Sequence, residues 1–173
     1  MKKILAMVMI LVLCVFAFCA CGQKDANPTR VENPVKSVDE DKQVSETGFA
    51  LSLPEEDMEL VDRSIVEVSE DEKIAEITFK YNEVEYCYRV QSTGEMSAYD
   101  MSGLYYKWEN TLDVQVAGRD GFVSTCSEAS LIAWLDVAPG VNYNLSCLEA
   151  VDADTMMEVA EMIFDPVQEG EAE

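Results

Sequence analysis

The sequence has no histidine, and its 12 lysine and arginine residues stand against 34 aspartate and glutamate residues, for a formal net charge of −22. Without histidine the chain lacks the commonest general base, the usual partner of a serine or cysteine nucleophile, and the commonest zinc ligand. The excess of negative charge opposes contact with nucleic-acid phosphates, which proteins bind through lysine and arginine. The composition therefore argues against nucleic-acid binding and against most familiar hydrolase mechanisms.

Internal repeats are also missing from the sequence. No unit recurs with a period of about 20 to 50 residues, so the pattern does not favour a solenoid or a propeller. Hydrophobic residues make up 49% of the 173 residues, which is enough for a sizeable core in a domain of ordinary size. These features predict one globular domain.

The first 20 residues have the organisation of an export signal. Lys2 and Lys3 precede an unbroken apolar run over residues 4–20, and the chain turns polar from Gln23. A charged start followed by an apolar run is typical of secretory signal peptides. We therefore assign residues 1–20 to a signal peptide. The alternative is an uncleaved membrane helix, for which the apolar run is at the lower limit of length.

The end of this run, Phe18-Cys19-Ala20-Cys21-Gly22, resembles the lipobox of bacterial lipoproteins. In that family the last cysteine receives a diacylglycerol thioether and becomes the mature N-terminus. The resemblance implies that Cys21 is lipidated and that the chain is anchored at the extracytoplasmic face of the cell membrane. Phe18 departs from the pattern, in which leucine is usual. Two or three acyl chains hold a protein stably, whereas one chain alone is marginal.

Composition divides the remainder into three parts. Residues 21–36 are polar and interrupted by Pro28 and Pro34, which is typical of a flexible tether after the lipidated cysteine. Residues 37–166 carry the apolar patterning of a single domain. Residues 167–173 form a short acidic tail that we expect to be disordered.

The patterning inside the domain predicts mostly strands. A capping box over residues 37–40 and a stop at Gly48 predict a short helix. Period-two alternation predicts strands, and the expected ranges are 49–53, 64–68, 73–81, 83–90, 104–108, 112–116, 122–126, 131–137 and 141–148. Turns are expected near Asn82, at residues 119–121 and at residues 139–140, and residues 91–103 are expected to form a longer loop.

The last element is predicted to be an amphipathic helix over residues 152–164. Its apolar stripe consists of Met156, Val159, Ala160 and Ile163, and Asp152 or Thr155 can cap it. The predicted fold class is α+β, with a curved antiparallel meander sheet of about seven or eight strands. The C-terminal amphipathic helix packs on one face, and a short helix lies near the N-terminus. A closed β-barrel is the alternative.

The layout of signal, tether and domain looks like that of the uncharacterised lipoproteins of Firmicutes bacteria, which carry one domain of unknown function. The segments that suggest this resemblance are residues 33–35, 48–49, 53–54, 74–79, 100–103, 133–134 and 143–146. The resemblance implies architecture and location only, because the family supplies no catalytic residues to transfer.

Cysteines and carboxylates offer little catalytic chemistry. Beyond the signal and Cys21, an odd number of cysteines remains, so at most one disulfide forms among Cys87, Cys126 and Cys147. Asp113 and Asp136 are the least trivial pair of carboxylates for glycoside hydrolysis, but each falls on the polar side of its strand. The acidic clusters lack the spacing of a calcium loop. No metal and no cofactor is predicted, and no catalytic residue is assigned.

The aromatic residues Tyr99, Tyr105, Tyr106 and Trp108 are the candidate binding residues. They lie in and after the expected loop, and stiff amphipathic side chains serve as anchors for a protein, peptide or glycan partner. The competing interpretation is that one face of this segment packs under the C-terminal helix. We expect a lipid-anchored, non-catalytic binding module of the cell envelope. The alternatives are an envelope hydrolase acting on glycan or peptide, and an accessory subunit of a membrane protein.

Overall fold

The structure, a computed structural model, describes residues 34–54 and 57–164. The predicted signal peptide, Cys21, most of the tether and the acidic tail lie outside these residues. The described residues all belong to one compact unit.

The described residues form one antiparallel sheet and two helices. In chain order the elements are β1 (Val35–Ser37), α1 (Glu40–Thr47), β2 (Glu59–Glu67), β3 (Lys73–Tyr81), β4 (Val84–Ser92), β5 (Asn110–Val116), β6 (Arg119–Thr125), β7 (Ser130–Asp136), β8 (Val141–Cys147) and α2 (Ala153–Ile163). The strands lie side by side in the order β1-β2-β3-β4-β8-β7-β6-β5. The α+β prediction is confirmed. The sheet is open, with β1 and β5 at its edges, so it is not a barrel.

The sheet consists of two four-stranded meanders that meet at β4 and β8. Consecutive strands pair within each half, as the predicted meander requires, but β4 pairs with β8 instead of β5. Large apolar residues face each other across this central pair, where Tyr88 lies opposite Leu145 and Val90 opposite Tyr143. Residues 93–109 therefore have to cross the sheet to reach β5. We call them the crossover segment.

One face of the sheet carries the hydrophobic core and is named the helical face. The predicted stripe of α2 is buried there, and Asp152 caps the helix by accepting a hydrogen bond from the Thr155 amide at 3.0 Å. Trp134 and Tyr143 are stacked at a ring separation of 5.3 Å, and Phe164 meets both rings edge-on. Aromatic pairs in these geometries contribute beyond their buried area.

The N-terminal region departs from prediction in two places, the N-cap of α1 and the end of the tether. The cap of α1 is Asp39, which accepts a hydrogen bond from the Lys42 amide at 2.8 Å, and not Ser37. Ser37 belongs to β1, so the tether prediction is wrong for residues 35 and 36, where pairing of Val35 with Val66 extends the sheet. The predicted stop at Gly48 is confirmed, because its φ of 81° is a left-handed conformation that glycine adopts without strain.

Two predicted strands are irregular in the structure. Phe49 and Leu51 are buried in the core without strand pairing, because the segment after α1 covers the helical face instead of joining the sheet. Residues 104–108 are also irregular, since they lie in the last part of the crossover segment. In both places the alternation of apolar residues shows that one side of the segment is in contact with the domain. An irregular segment can make such contact without forming a strand.

The turn between β5 and β6 lies earlier than predicted. Ala117 and Gly118 have φ values of 47° and 80°, and Arg119 already belongs to β6. Two consecutive residues with positive φ are typical of a two-residue hairpin turn. The turns at residues 82–83 and 139–140 lie where the sequence predicts them.

Gly121 is required by the close approach of β6 and β7. A Cβ atom at this position would overlap the carbonyl oxygen of Ala133 and lie 2.9 Å from Cβ of Trp134. The missing side chain therefore leaves room for the stacked aromatic rings of the core.

We expect Gly121→Ala to lower the free energy of unfolding by about 3 kcal/mol, because overpacking forces backbone and side chains apart. Gly94→Ala is the matched control, since a Cβ at Gly94 meets no atom within 4 Å. Urea unfolding followed by circular dichroism measures both. A Gly121→Ala protein as stable as the Gly94→Ala protein would contradict the tight packing described for Gly121.

Candidate functional site

The face opposite the helices is polar at its centre and is named the loop face. Residues that share it lie in rows across the sheet, and the central row runs Ser64, Glu76, Arg89, Asn144, Ala133, Phe122 and Asp113. The crossover segment lies over this row, because Arg89 Nη1 donates to the Met101 carbonyl at 2.7 Å. The crossover segment thus buries charged and polar groups that strand alternation places away from the helices.

Glu76 is the centre of a buried polar network on the loop face. Its side chain accepts hydrogen bonds from Ser64 Oγ at 2.6 Å, Arg89 Nε at 2.6 Å and Cys87 Sγ at 3.3 Å. Burial by itself would raise the pKa of Glu76, but the charge of Arg89 and these hydrogen bonds outweigh it and lower that pKa below its ordinary value. Glu76 is therefore held as a carboxylate.

Sequence reasoning missed this network, although a signal for it exists. The turn at Asn82 and Glu83 fixes the β3–β4 register, which places Glu76 directly opposite Arg89. Opposite charges at facing strand positions predict an ion pair. Its burial was not predictable, because burial depends on the path of the crossover segment.

Tyr99 anchors the crossover segment instead of forming part of an exposed surface. Its carbonyl oxygen accepts hydrogen bonds from Asn142 Nδ2 at 3.0 Å and Asn144 Nδ2 at 3.2 Å. Its hydroxyl donates to Gln91 Oε1 at 3.0 Å. Asn142 and Asn144 are almost fully buried. Tyr99 therefore has a structural role, unlike the other three predicted binding residues.

We call Tyr105, Tyr106 and Trp108, which lie close together along the chain, the aromatic cluster. Tyr105 is 100% exposed, while Tyr106 and Trp108 are half-buried with ring centroids 6.0 Å apart. Neither Tyr106 nor Trp108 belongs to the hydrophobic core, so the interpretation that this segment packs under α2 is wrong. The cluster is an apolar surface on the outside of the domain.

A surface depression of about 550 Å³ adjoins the aromatic cluster. The rings of Tyr106 and Trp108 form one wall, and Cys126 and Glu128 from the β6–β7 turn contribute to the other. Aromatic walls beside carboxylate and hydroxyl groups suit a peptide or a sugar, since both present apolar and polar surface together.

A second depression, of about 290 Å³, lies on the loop face beside β5. Asp113 and Asp120 stand at its rim, and the walls are apolar, with contributions from Phe122 and Leu135. We call these four residues and Met96 the acidic hollow. Sequence reasoning selected Asp113 but not Asp120, because it placed residues 119–121 in a turn.

The predicted carboxylate pair is not brought together. Asp113 lies on the loop face opposite Phe122, whereas Asp136 lies on the helical face opposite Val141 and accepts a hydrogen bond from Arg119 Nε at 2.9 Å. The two carboxylates therefore lie on opposite sides of one sheet. They cannot flank the same glycosidic bond.

The three cysteines of the domain are free thiols. Cys87 lies on the loop face and Cys147 on the helical face of neighbouring strands, so the sheet separates them. Burial and the adjacent Glu76 carboxylate raise the pKa of Cys87 to about 12, and burial raises the pKa of Cys147. Neither thiol is activated as a nucleophile.

Comparison with protein families, curated proteins and solved structures found no match for this chain. No helix within residues 34–54 and 57–164 is long and apolar enough to cross a membrane. No group of three or more cysteine, aspartate or glutamate side chains converges on a metal-sized site in the same part of the chain.

We expect Arg89→Met to lower the free energy of unfolding by about 3 to 5 kcal/mol at pH 7, because it leaves the Glu76 carboxylate buried without its partner. The double variant Glu76→Gln/Arg89→Met is the control and should be more stable than the single variant. Urea unfolding measures both.

The pH dependence of the free energy of unfolding should have the opposite sign in Arg89→Met. In the native protein the pKa of Glu76 is lowered. Its contribution to the free energy of unfolding is therefore fully present above the unfolded pKa of about 4.3 and is lost as the pH falls below it. In Arg89→Met, burial raises that pKa, so the free energy of unfolding should rise as the pH falls from 7 towards 5. A single variant that loses stability over this range would contradict the role of Arg89 as the partner of Glu76.

Proposed function

We propose that this protein is a lipid-anchored, non-catalytic binding module of the cell envelope. The membrane end of the chain is Cys21, and the binding end is the aromatic cluster of Tyr105, Tyr106 and Trp108. The proposal concerns a protein, peptide or glycan partner outside the cytoplasm. It includes no cofactor and no nucleic acid.

The observation that carries this proposal is the complete exposure of Tyr105, together with the half-buried rings of its chain neighbours Tyr106 and Trp108, which line a depression of about 550 Å³. Contiguous exposed apolar surface marks interaction sites, and aromatic residues are enriched at the centres of binding interfaces. Trp134, by contrast, is fully buried in the core. The two tryptophans thus have different roles, and Trp108 is available to a partner.

The support for a binding role over a catalytic one comes from the buried groups. Cys87 has a raised pKa, and Glu76 is held as a carboxylate by three donors. The sequence has no histidine to activate a nucleophile. Residues with strongly perturbed pKa values mark catalytic sites when they line a cleft, whereas neither Glu76 nor Cys87 lines the two depressions described above.

We expect the lipid anchor to add a measurable mass to the chain. A membrane fraction from the producing bacterium should contain a chain that starts at Cys21 and carries a diacylglyceryl group. Cys21→Ala should abolish the added mass and Cys19→Ala should not, because only the cysteine after the cleavage point is acylated. Intact-mass spectrometry reads this directly. An unprocessed wild-type chain would instead make residues 4–20 a membrane helix.

We expect the aromatic cluster to contact the partner in cells. A photoreactive benzoylphenylalanine in place of Tyr105 should give a discrete crosslinked product, because this side chain is fully exposed and directly precedes the residues that line the depression. The same amino acid in place of Val68, which directly follows β2 and is 56% exposed, is the matched control.

Trp108→Ala should remove the crosslink at position 105 while leaving the circular dichroism spectrum unchanged, since Trp108 lies outside the core. Equal crosslinking from positions 105 and 68, or a crosslink that survives Trp108→Ala, would contradict a specific role for the cluster. Mass spectrometry of the product identifies whether the partner is protein or glycan.

A further inference from the structure

The outer edge of β5 is a long strand edge without the usual protection. Among the described residues β5 pairs only with β6, and its register with β6 is regular over all seven residues. It contains neither lysine nor proline, which natural sheets use to blunt such edges. Asp113 is its single charged residue.

The opposite edge of the sheet is protected. There β1 is three residues long, and the register of β2 is interrupted by a bulge between Leu60 and Asp62. Short edge strands and bulges both discourage the addition of another strand. Only the β5 edge of the described sheet therefore offers a regular row of outward-facing backbone N–H and C=O groups.

The side chains of β5 specify what an added strand would meet. On the helical face it would lie beside Leu112, which is 56% exposed, and Val114. On the loop face it would lie beside Asp113, next to the acidic hollow. Facing side chains on neighbouring strands lie about 5 Å apart. The edge thus favours a segment that alternates apolar residues with cationic ones.

The acidic hollow has the shape and charge for a long cationic side chain. Asp113 and Asp120 supply carboxylates, and Gln115 Nε2 holds Asp120 by donating to Oδ1 at 2.9 Å. Phe122 and Leu135 supply an apolar wall. Lysine and arginine lay their aliphatic stems on such a wall while their charged ends remain at the rim, and a cation also binds an aromatic ring.

A second copy of this chain is a poor partner for the β5 edge. Asp113 is the middle residue of β5, so symmetric antiparallel pairing of two β5 edges places the two Asp113 carboxylates opposite each other. Like charges at facing positions destabilise a strand pair, and each copy carries a net charge of −22. The same charge attracts a cationic partner over a distance.

The β5 edge is continuous with the aromatic cluster. Glu109 donates its amide to the Thr125 carbonyl at 3.0 Å, which extends contact with β6 one residue beyond the strand towards Trp108. A partner strand on β5 would therefore end next to the chain segment that carries Tyr106 and Trp108.

We propose that the β5 edge binds an extended segment of another protein as an added strand, with a lysine or arginine of that segment in the acidic hollow. This names the partner chemistry for the proposed binding function and rests on that function. The backbone supplies the pairing, and Asp113 with Asp120 supplies the selection for positive charge.

The test uses the full-length chain and a fluorescent, end-capped peptide of about nine residues that alternates lysine with valine and threonine. Fluorescence anisotropy should detect binding that weakens with added salt. A peptide with glutamate in place of each lysine should not bind. Asp113→Lys should weaken the lysine peptide about tenfold or more and allow binding of the glutamate peptide.

Asp71→Lys is the matched control, because it makes the same charge change in the exposed β2–β3 loop and should leave binding within about twofold. Amide hydrogen exchange should show new protection in residues 110–116 when the lysine peptide is bound, and none in β1. Protection in β5 distinguishes strand addition from simple attraction between charges.

The inference is overturned if the lysine peptide does not bind, if Asp71→Lys and Asp113→Lys weaken it equally, or if β5 gains no protection. It is also overturned if sedimentation shows the wild-type chain to dimerise through β5, with protection in residues 110–116 in the absence of peptide. If peptide binding fails while crosslinking at position 105 persists in Asp113→Lys, the binding function stands and the partner is not a cationic strand.

Discussion

The pairing of β4 with β8 is the contact on which the rest of the structure depends. It joins two local meanders into one sheet and forces the crossover segment over the loop face. The same pairing places β5 at the outer edge and the aromatic cluster just before it. If β4 paired with β5, residues 93–109 would not have to cross the sheet, and Glu76, Arg89, Asn142 and Asn144 would lose the segment that covers them.

The two faces of the sheet are stabilised by different physics. The helical face buries stacked aromatic rings and the apolar stripe of α2, and the stabilisation from this burial is non-directional. The loop face buries directional hydrogen bonds, which hold the crossover segment at particular atoms such as the Tyr99 and Met101 carbonyls. The aromatic cluster follows in the chain directly after the part of the crossover segment that these bonds hold.

Charge is distributed unequally between the inside and the outside of the domain. Many of its cations are used within the fold, in ion pairs formed by Lys36, Lys42, Arg63, Lys73, Arg89 and Arg119. The remaining carboxylates dominate the surface and give the chain a strongly negative field. Such a field opposes self-association and nucleic acid, and it favours a partner with positive charge, which is the chemistry inferred for the β5 edge.

The sequence by itself determined the local elements, because each rests on neighbouring residues. It identified the β3–β4 hairpin from its turn at Asn82, the buried stripe of α2 and the stop at Gly48. The candidate site was only half predictable: Tyr105, Tyr106 and Trp108 were selected by residue type, whereas Tyr99 proved to be an anchor and Asp120 was missed. Only the tertiary structure decided which strands are central, that residues 49–53 and 104–108 are irregular, and that Glu76 and Arg89 are buried together. These outcomes depend on the long-range pairing of β4 with β8. The entropy cost of bringing these strands together, and the contacts that offset it, involve residues far apart in the chain. No short stretch of sequence therefore predicts the pairing.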